Sequence, residues 1–171
     1  RMTGEELRAT FLVEDLFAPD EVRLVLWEAE RTILGSAVPR RRPLALEAPL
    51  ELGAPFFAAR RELGVVNLGG AGTVTVDGQA HALGPRDGLY VGRGSREIVF
   101  ASGREQEPAL FYLVSHPAHA SLQSARVSPD QSRTAAVITC PASSASSRDT
   151  QQCNTARMRR AAVGSILTRP I

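Results

Sequence analysis

The chain has 171 residues, 43% apolar and 22% charged, with a formal net charge of +2, a composition that supports one domain with a real core. No apolar run approaches the roughly 20 residues that span a bilayer, and no charged-then-apolar N-terminal segment of the signal-peptide kind is seen, so a soluble, cytoplasmic protein without a membrane partner is expected. The charge is divided: residues 1–130 hold 14 Arg against 17 acids, a net of −3, and residues 131–171 hold 6 Arg against Asp149 alone, a net of +5. A nucleic-acid footprint needs cations clustered on a folded face, so no nucleic-acid partner is expected.

In chain order, Thr3-Gly4-Glu5-Glu6 fits a capping box that opens a short helix through about Ala9. Phe11-Leu12-Val13 and Leu16-Phe17 read as strand positions that bend at Glu14-Asp15, and Pro19-Asp20 reads as a turn. Val22, Leu24 and Leu26 alternate with Arg23, Val25 and Trp27, the period of a strand. Ile33 to Val38 reads as the next strand, ended by Pro39. Arg40-Arg41-Arg42 reads as a solvated loop, with an anion-binding patch as its sharper alternative. Leu44 to Leu52 contains Pro49 and therefore suits an edge segment.

Residues 60–101, RRELGVVNLGGAGTVTVDGQAHALGPRDGLYVGRGSREIVFA, form the central series of short apolar runs and glycine-bearing turns. Asp77-Gly78 after an alternating run predicts a tight hairpin, because both central positions of a type I′ turn need positive φ. Val74 and Val76 share one face, as do Ile98 and Phe100. Ala109 to Ser115 is apolar almost throughout and predicts a central strand buried on both sides. The count is eight to ten strands and one short helix. That predicts an all-β fold, a sandwich or jelly-roll barrel, since no long helical period separates the strands.

Beyond Gln131 the composition shifts to Ser, Thr, Ala, Gln and Arg, and no aromatic follows Tyr112. Such a segment cannot offset its chain entropy by burial. A mostly disordered tail over 131–171 is expected, with a short helix near Thr155 to Ala162. Cys140 and Cys153 lie in this tail and suit free thiols rather than a disulfide framework.

RRELGVVNLGGAGTVTVDG, RDGLYVGRG, EIVFAS and HPAH resemble, in that order, the N-terminal half of the 5-dehydro-4-deoxy-D-glucuronate isomerase family. The resemblance covers residues 5 to 130. Leu122-Gln123 depart from it where an aromatic and a proline are expected. It implies a cupin-like jelly-roll barrel over 1–130 and a ketol-isomerase of uronate catabolism that moves a carbonyl along an open-chain sugar acid. It also implies a homo-oligomer and a zinc ion bound in a second barrel by H-x-H, a Glu and a later His. That ligand set does not appear in this chain. A shifted reading frame or broken gene is the expectation for 131–171. The alternative reading is a non-catalytic cupin module for oligomerisation or sugar binding.

The skeleton of the two cupin metal patterns is present without its imidazoles. Glu62, six residues and Gly69 match the end of the first. Asp87, Gly92, Gly94 and Glu97 follow the second, with Glu97 where His is usual. Phe56, Phe57, Ala58 and Ala59 stand where the two upstream His would be needed. Glu62 is expected to form a salt bridge with a neighbouring Arg. His81 is expected at a surface or edge. His116-Pro117-Ala118-His119 reads as a turn, with a substrate contact by His119 as its alternative. No catalytic residue and no metal ligand is assigned, substrate-binding residues stay unknown, and no zinc is expected on this chain. LGGAG precedes a strand rather than a helix, so it is no dinucleotide fingerprint.

Overall fold

A computed structural model describes residues 2–27 and 31–129. The expected disordered tail, its helix, Asp149 and both cysteines lie outside the described residues. The N-terminal segment up to Glu14 belongs to a different compact unit from the body that starts at Asp15. Helix α1 runs over Gly4–Phe11, and its capping box is complete. The Thr3 backbone N–H donates to Glu6 Oε2 at 2.7 Å, and the Glu6 N–H donates to Thr3 Oγ1 at 3.3 Å. The helix takes in Phe11, so the expected strand at Phe11-Leu12-Val13 does not form; capping of the first turn prevails over the short apolar run.

The body holds ten strands among the described residues: β1 Val22–Trp27, β2 Thr32–Ala37, β3 Leu44–Ala45, β4 Arg61–Asn67, β5 Gly72–Val76, β6 Gln79–Leu83, β7 Gly88–Val91, β8 Ile98–Ser102, β9 Phe111–Pro117 and β10 Ala125–Val127. They form a six-stranded sheet in the order β1-β2-β9-β4-β7-β10 and a four-stranded sheet in the order β3-β8-β5-β6. Every pairing is antiparallel. Leu16-Phe17 carries no strand, and the Leu44–Leu52 segment keeps only two strand residues before a 3-10 turn at Leu50–Leu52.

Directly opposed residues on antiparallel strands share a face, so register assigns the interior. Ile33, Ser115, Leu63 and Val91 lie in one row and point inward, as do Leu113, Val65 and Leu89 in the next. Val74 opposes Phe100 from the second sheet, and both are fully buried. Phe100 and Phe111 meet across the core with ring centroids 5.3 Å apart. Full burial of each such side chain contributes about 1.5–3 kcal/mol. The barrel interior is thus a packed apolar core.

The turns follow the sequence chemistry. Asp77 (φ 48°) and Gly78 (φ 84°) link β5 to β6 as a tight hairpin. Asp77 Oδ1 also accepts the N–H groups of Arg96 at 2.8 Å and Glu97 at 2.9 Å. The LGGAG bend is held by buried Asn67. Its Nδ2 donates to the carbonyls of Gly70, Leu83 and Gly84, and its Oδ1 accepts from Gly69 and Leu110. A wholly buried amide is tolerable only when so completely satisfied.

Candidate functional site

The β4 period alternates inward and outward, so with Leu63 inward Glu62 must point out of the barrel. On the outer face of the six-stranded sheet, Glu62 of β4 opposes His116 of β9, and Thr32 of β2 lies beside His116. The Tyr90 hydroxyl, on β7 of the same face, donates to Glu62 Oε2 at 2.8 Å. Burial, then the hydrogen bond to Glu62 and its negative charge, push the Tyr90 phenol up to about 12. His116 Nδ1 and Thr32 Oγ1 are 3.2 Å apart. Glu62 therefore pairs with a phenol rather than with the expected arginine.

Arg61, the arginine next to Glu62 in sequence, points the other way. It is buried, its Nε donates to Ser115 Oγ at 3.1 Å, and its Nη2 donates to the carbonyls of Ser115 and Arg31. Burial lowers its pKa. The Glu62 row and the Arg61 bracket close the same end of the large sheet. Tyr90, Thr32 and Ser115 were not candidates from sequence; only strand register brings them there.

The second set of candidates divides between structure and surface. Asp87 is buried and accepts from the Gly84 N–H at 2.7 Å and from Arg126 Nη2 at 2.7 Å. Burial raises its pKa, but the Arg126 hydrogen bond, the Gly84 N–H and the Arg126 charge outweigh it and hold the carboxyl below its usual value. Gly92 lies against the Leu122 carbonyl; a Cβ there would sit 1.7 Å from that oxygen. Gly94 (φ 101°) shapes the following turn. These residues anchor the return of the chain into β10 and do not converge on a ligand. Glu97 is exposed and lines an open cleft of about 390 Å³ together with Glu47, Phe56 and Arg96.

The three His do not meet. His81 sits on β6, at the edge of the small sheet, as expected for an edge residue. It opposes the fully buried Val74, which turns the ring to the core side, and its Nε2 is buried with no hydrogen-bond partner among the described residues. His116 is the penultimate residue of β9, on the outer face of the large sheet and inside the strand rather than in a turn, and His119 is exposed beyond it. No group of three His, Cys, Asp or Glu side chains placed to hold a metal ion occurs among the described residues. Zinc needs about four converging donors. The apolar interior and the outward Glu62 do not fit it. Arg40 and Arg42 are exposed, Asp20 Oδ1 caps the N–H groups of Arg40 and Arg41, and Arg41 Nε lies 3.5 Å from Glu105 Oε1. No helix among the described residues is long and apolar enough to cross a membrane.

Two antiparallel sheets closed over one apolar core define a cupin-like jelly-roll protein. Solved structures of that fold resemble the chain: the cupin domain of Schizosaccharomyces pombe Cnp3 (TM-score 0.43, 14% identity, 57% of this chain and 64% of that one) and a cupin protein from Bacteroides fragilis (TM-score 0.44, 13% identity, 74% and 98%). The chain belongs to the KduI/IolB family, whose model matches residues 14–165. It is 44% identical over 128 residues to a 4-deoxy-L-threo-5-hexosulose-uronate ketol-isomerase of Lachnoclostridium phytofermentans, covering 75% of this chain and 46% of that protein. It is 46% identical over 127 residues to the protein of the same name from Escherichia coli strain SE11, covering 73% and 46%. The chain thus spans about half the length of the curated relatives it matches.

Proposed function

We propose that this chain is the barrel-bearing part of a uronate ketol-isomerase that interconverts 5-dehydro-4-deoxy-D-glucuronate and 3-deoxy-D-glycero-2,5-hexodiulosonate. What carries the reading is the 44–46% identity to isomerases of that name over 127–128 residues. The reaction moves a proton between adjacent carbons and stabilises an enediol-like intermediate. It needs an acid/base group and an electrophile facing one substrate. Among the described residues the barrel offers no such pair: inward Arg61 is engaged by Ser115 and backbone carbonyls, Glu62 accepts the Tyr90 hydroxyl, and the three His stand apart. We place the proton transfers outside residues 15–129 and expect no turnover from this chain alone. The barrel's task is then to support the reacting part of the enzyme.

A chimera tests this. The 127 matched residues of the Escherichia coli relative are replaced by those of this chain, and turnover of the hexosulose uronate is measured. A kcat within about tenfold of the parent is expected. A folded chimera without turnover sinks the reading. The packed interior also favours a second reading, a non-catalytic cupin module serving oligomerisation. A chimera that keeps its oligomeric state but not its chemistry would support it.

A further inference from the structure

The cleft beside β3 has the makings of a ligand site outside the barrel interior. At about 390 Å³ it falls in the roughly 300–1,000 Å³ range of small-molecule sites. Leu46 and Ile98, both buried, form its floor, and the Leu46 N–H bonds to the Ile98 carbonyl at 2.8 Å. Three charged side chains line it: Arg96, Glu97 and Glu47. The Arg96 guanidinium lies 5.6 Å from the Phe56 ring centroid. That stacking restrains the plane of the group while leaving its N–H fork at the rim free to point outward. None of the three makes an ion pair among the described residues. The Asp77 carboxylate fixes the backbone of Arg96 and Glu97, so the two side chains leave from a rigid base.

We propose that this cleft binds a small polyhydroxylated carboxylic acid: Arg96 takes the carboxylate, Glu97 and Glu47 accept hydroxyl hydrogens, and the Leu46–Ile98 floor meets the C–H face. A guanidinium fork matches a carboxylate in two parallel hydrogen bonds. Ionised carboxylates can only accept, so they suit hydroxyl hydrogens and not a second anion. The inference rests on the uronate reading for its choice of acid, and it gives Glu97 a role that the metal pattern does not.

The test titrates the ¹⁵N-labelled full chain with D-glucuronate and follows amide shifts. Shifts are expected at Glu47, Ala48, Arg96 and Glu97. D-glucuronamide, which keeps the hydroxyls and loses the charge, should bind at least fivefold more weakly. Arg96→Gln should weaken D-glucuronate at least tenfold with an unchanged melting midpoint, while Arg41→Gln should have no effect. Shifts confined elsewhere, equal binding of the amide, or an unaffected Arg96→Gln variant would overturn the proposal. So would equal binding of 6-aminohexanoate, which would make the cleft an amino-acid site. The chimera separates the two claims: turnover there with no binding here removes only the cleft.

Discussion

Tyr90 and Glu62 show how one hydrogen bond changes a residue's meaning. From sequence Glu62 looks like a leftover metal ligand beside an arginine; strand register turns it outward, to a phenol 2.8 Å away. Because the phenol is raised to about 12 from about 10 in an unfolded chain, the neutral form is favoured by folding. That contribution is complete below about pH 10 and is lost as pH rises toward 12. Burial also raises Tyr112, so ultraviolet titration at the phenolate band should show both tyrosines ionising late, and Glu62→Gln should bring down Tyr90 alone. Tyr90→Phe should flatten the alkaline fall in stability between those two pH values. His81 makes the opposite case. Its buried Nε2 has no partner among the described residues, and such a group costs about 1–3 kcal/mol. His81→Leu should raise unfolding stability by about 1 kcal/mol in urea; a loss of that size would mean the nitrogen is satisfied in solution.

At the scale of elements, what was legible was whatever local chemistry dictates. The Thr3-Glu6 box, the Asp77-Gly78 hairpin, the Val74/Val76 face and the apolar run into β9 each announce themselves within a few residues. What was not legible depends on partners distant in sequence. Phe11 went to the helix because a cap three residues deep prevails over a short apolar run. Glu62, Tyr90, His116 and Thr32 share a face only through pairings that link residues 32, 62, 90 and 116. The cleft is set by a loop over Glu47 to Phe56 whose sequence holds no motif. Gly92 carries the clearest element-scale consequence. Its α-carbon faces the Leu122 carbonyl that leads into β10, so Gly92→Ala must push that segment away. Overpacking of this kind costs about 1–3 kcal/mol. Amide exchange should speed up at Ala125, Arg126 and Val127 while the core strands stay protected. Unchanged exchange there would place the cost elsewhere.

At the scale of the whole molecule, family and fold agree, and the chemistry stands apart from both. The KduI/IolB match and the isomerase relatives identify the lineage. The barrel carries glycines and acids of a metal-binding pattern but has put several of them to structural use: Asp87 ties down Arg126, Gly92 admits Leu122, and Glu62 accepts the Tyr90 hydroxyl. Leu63, Phe100 and Phe111 pack its interior, and no group of three His, Cys, Asp or Glu placed to hold a metal occurs among the described residues. On the reading proposed above, this barrel supports an isomerase without holding its reacting centre. The most direct measurement is zinc stoichiometry, by equilibrium dialysis, paired with isomerase turnover of the purified chain on the hexosulose uronate. No zinc bound at one per chain and no turnover, with or without added zinc, is expected. Turnover that rises in step with one bound zinc per chain would contradict that reading.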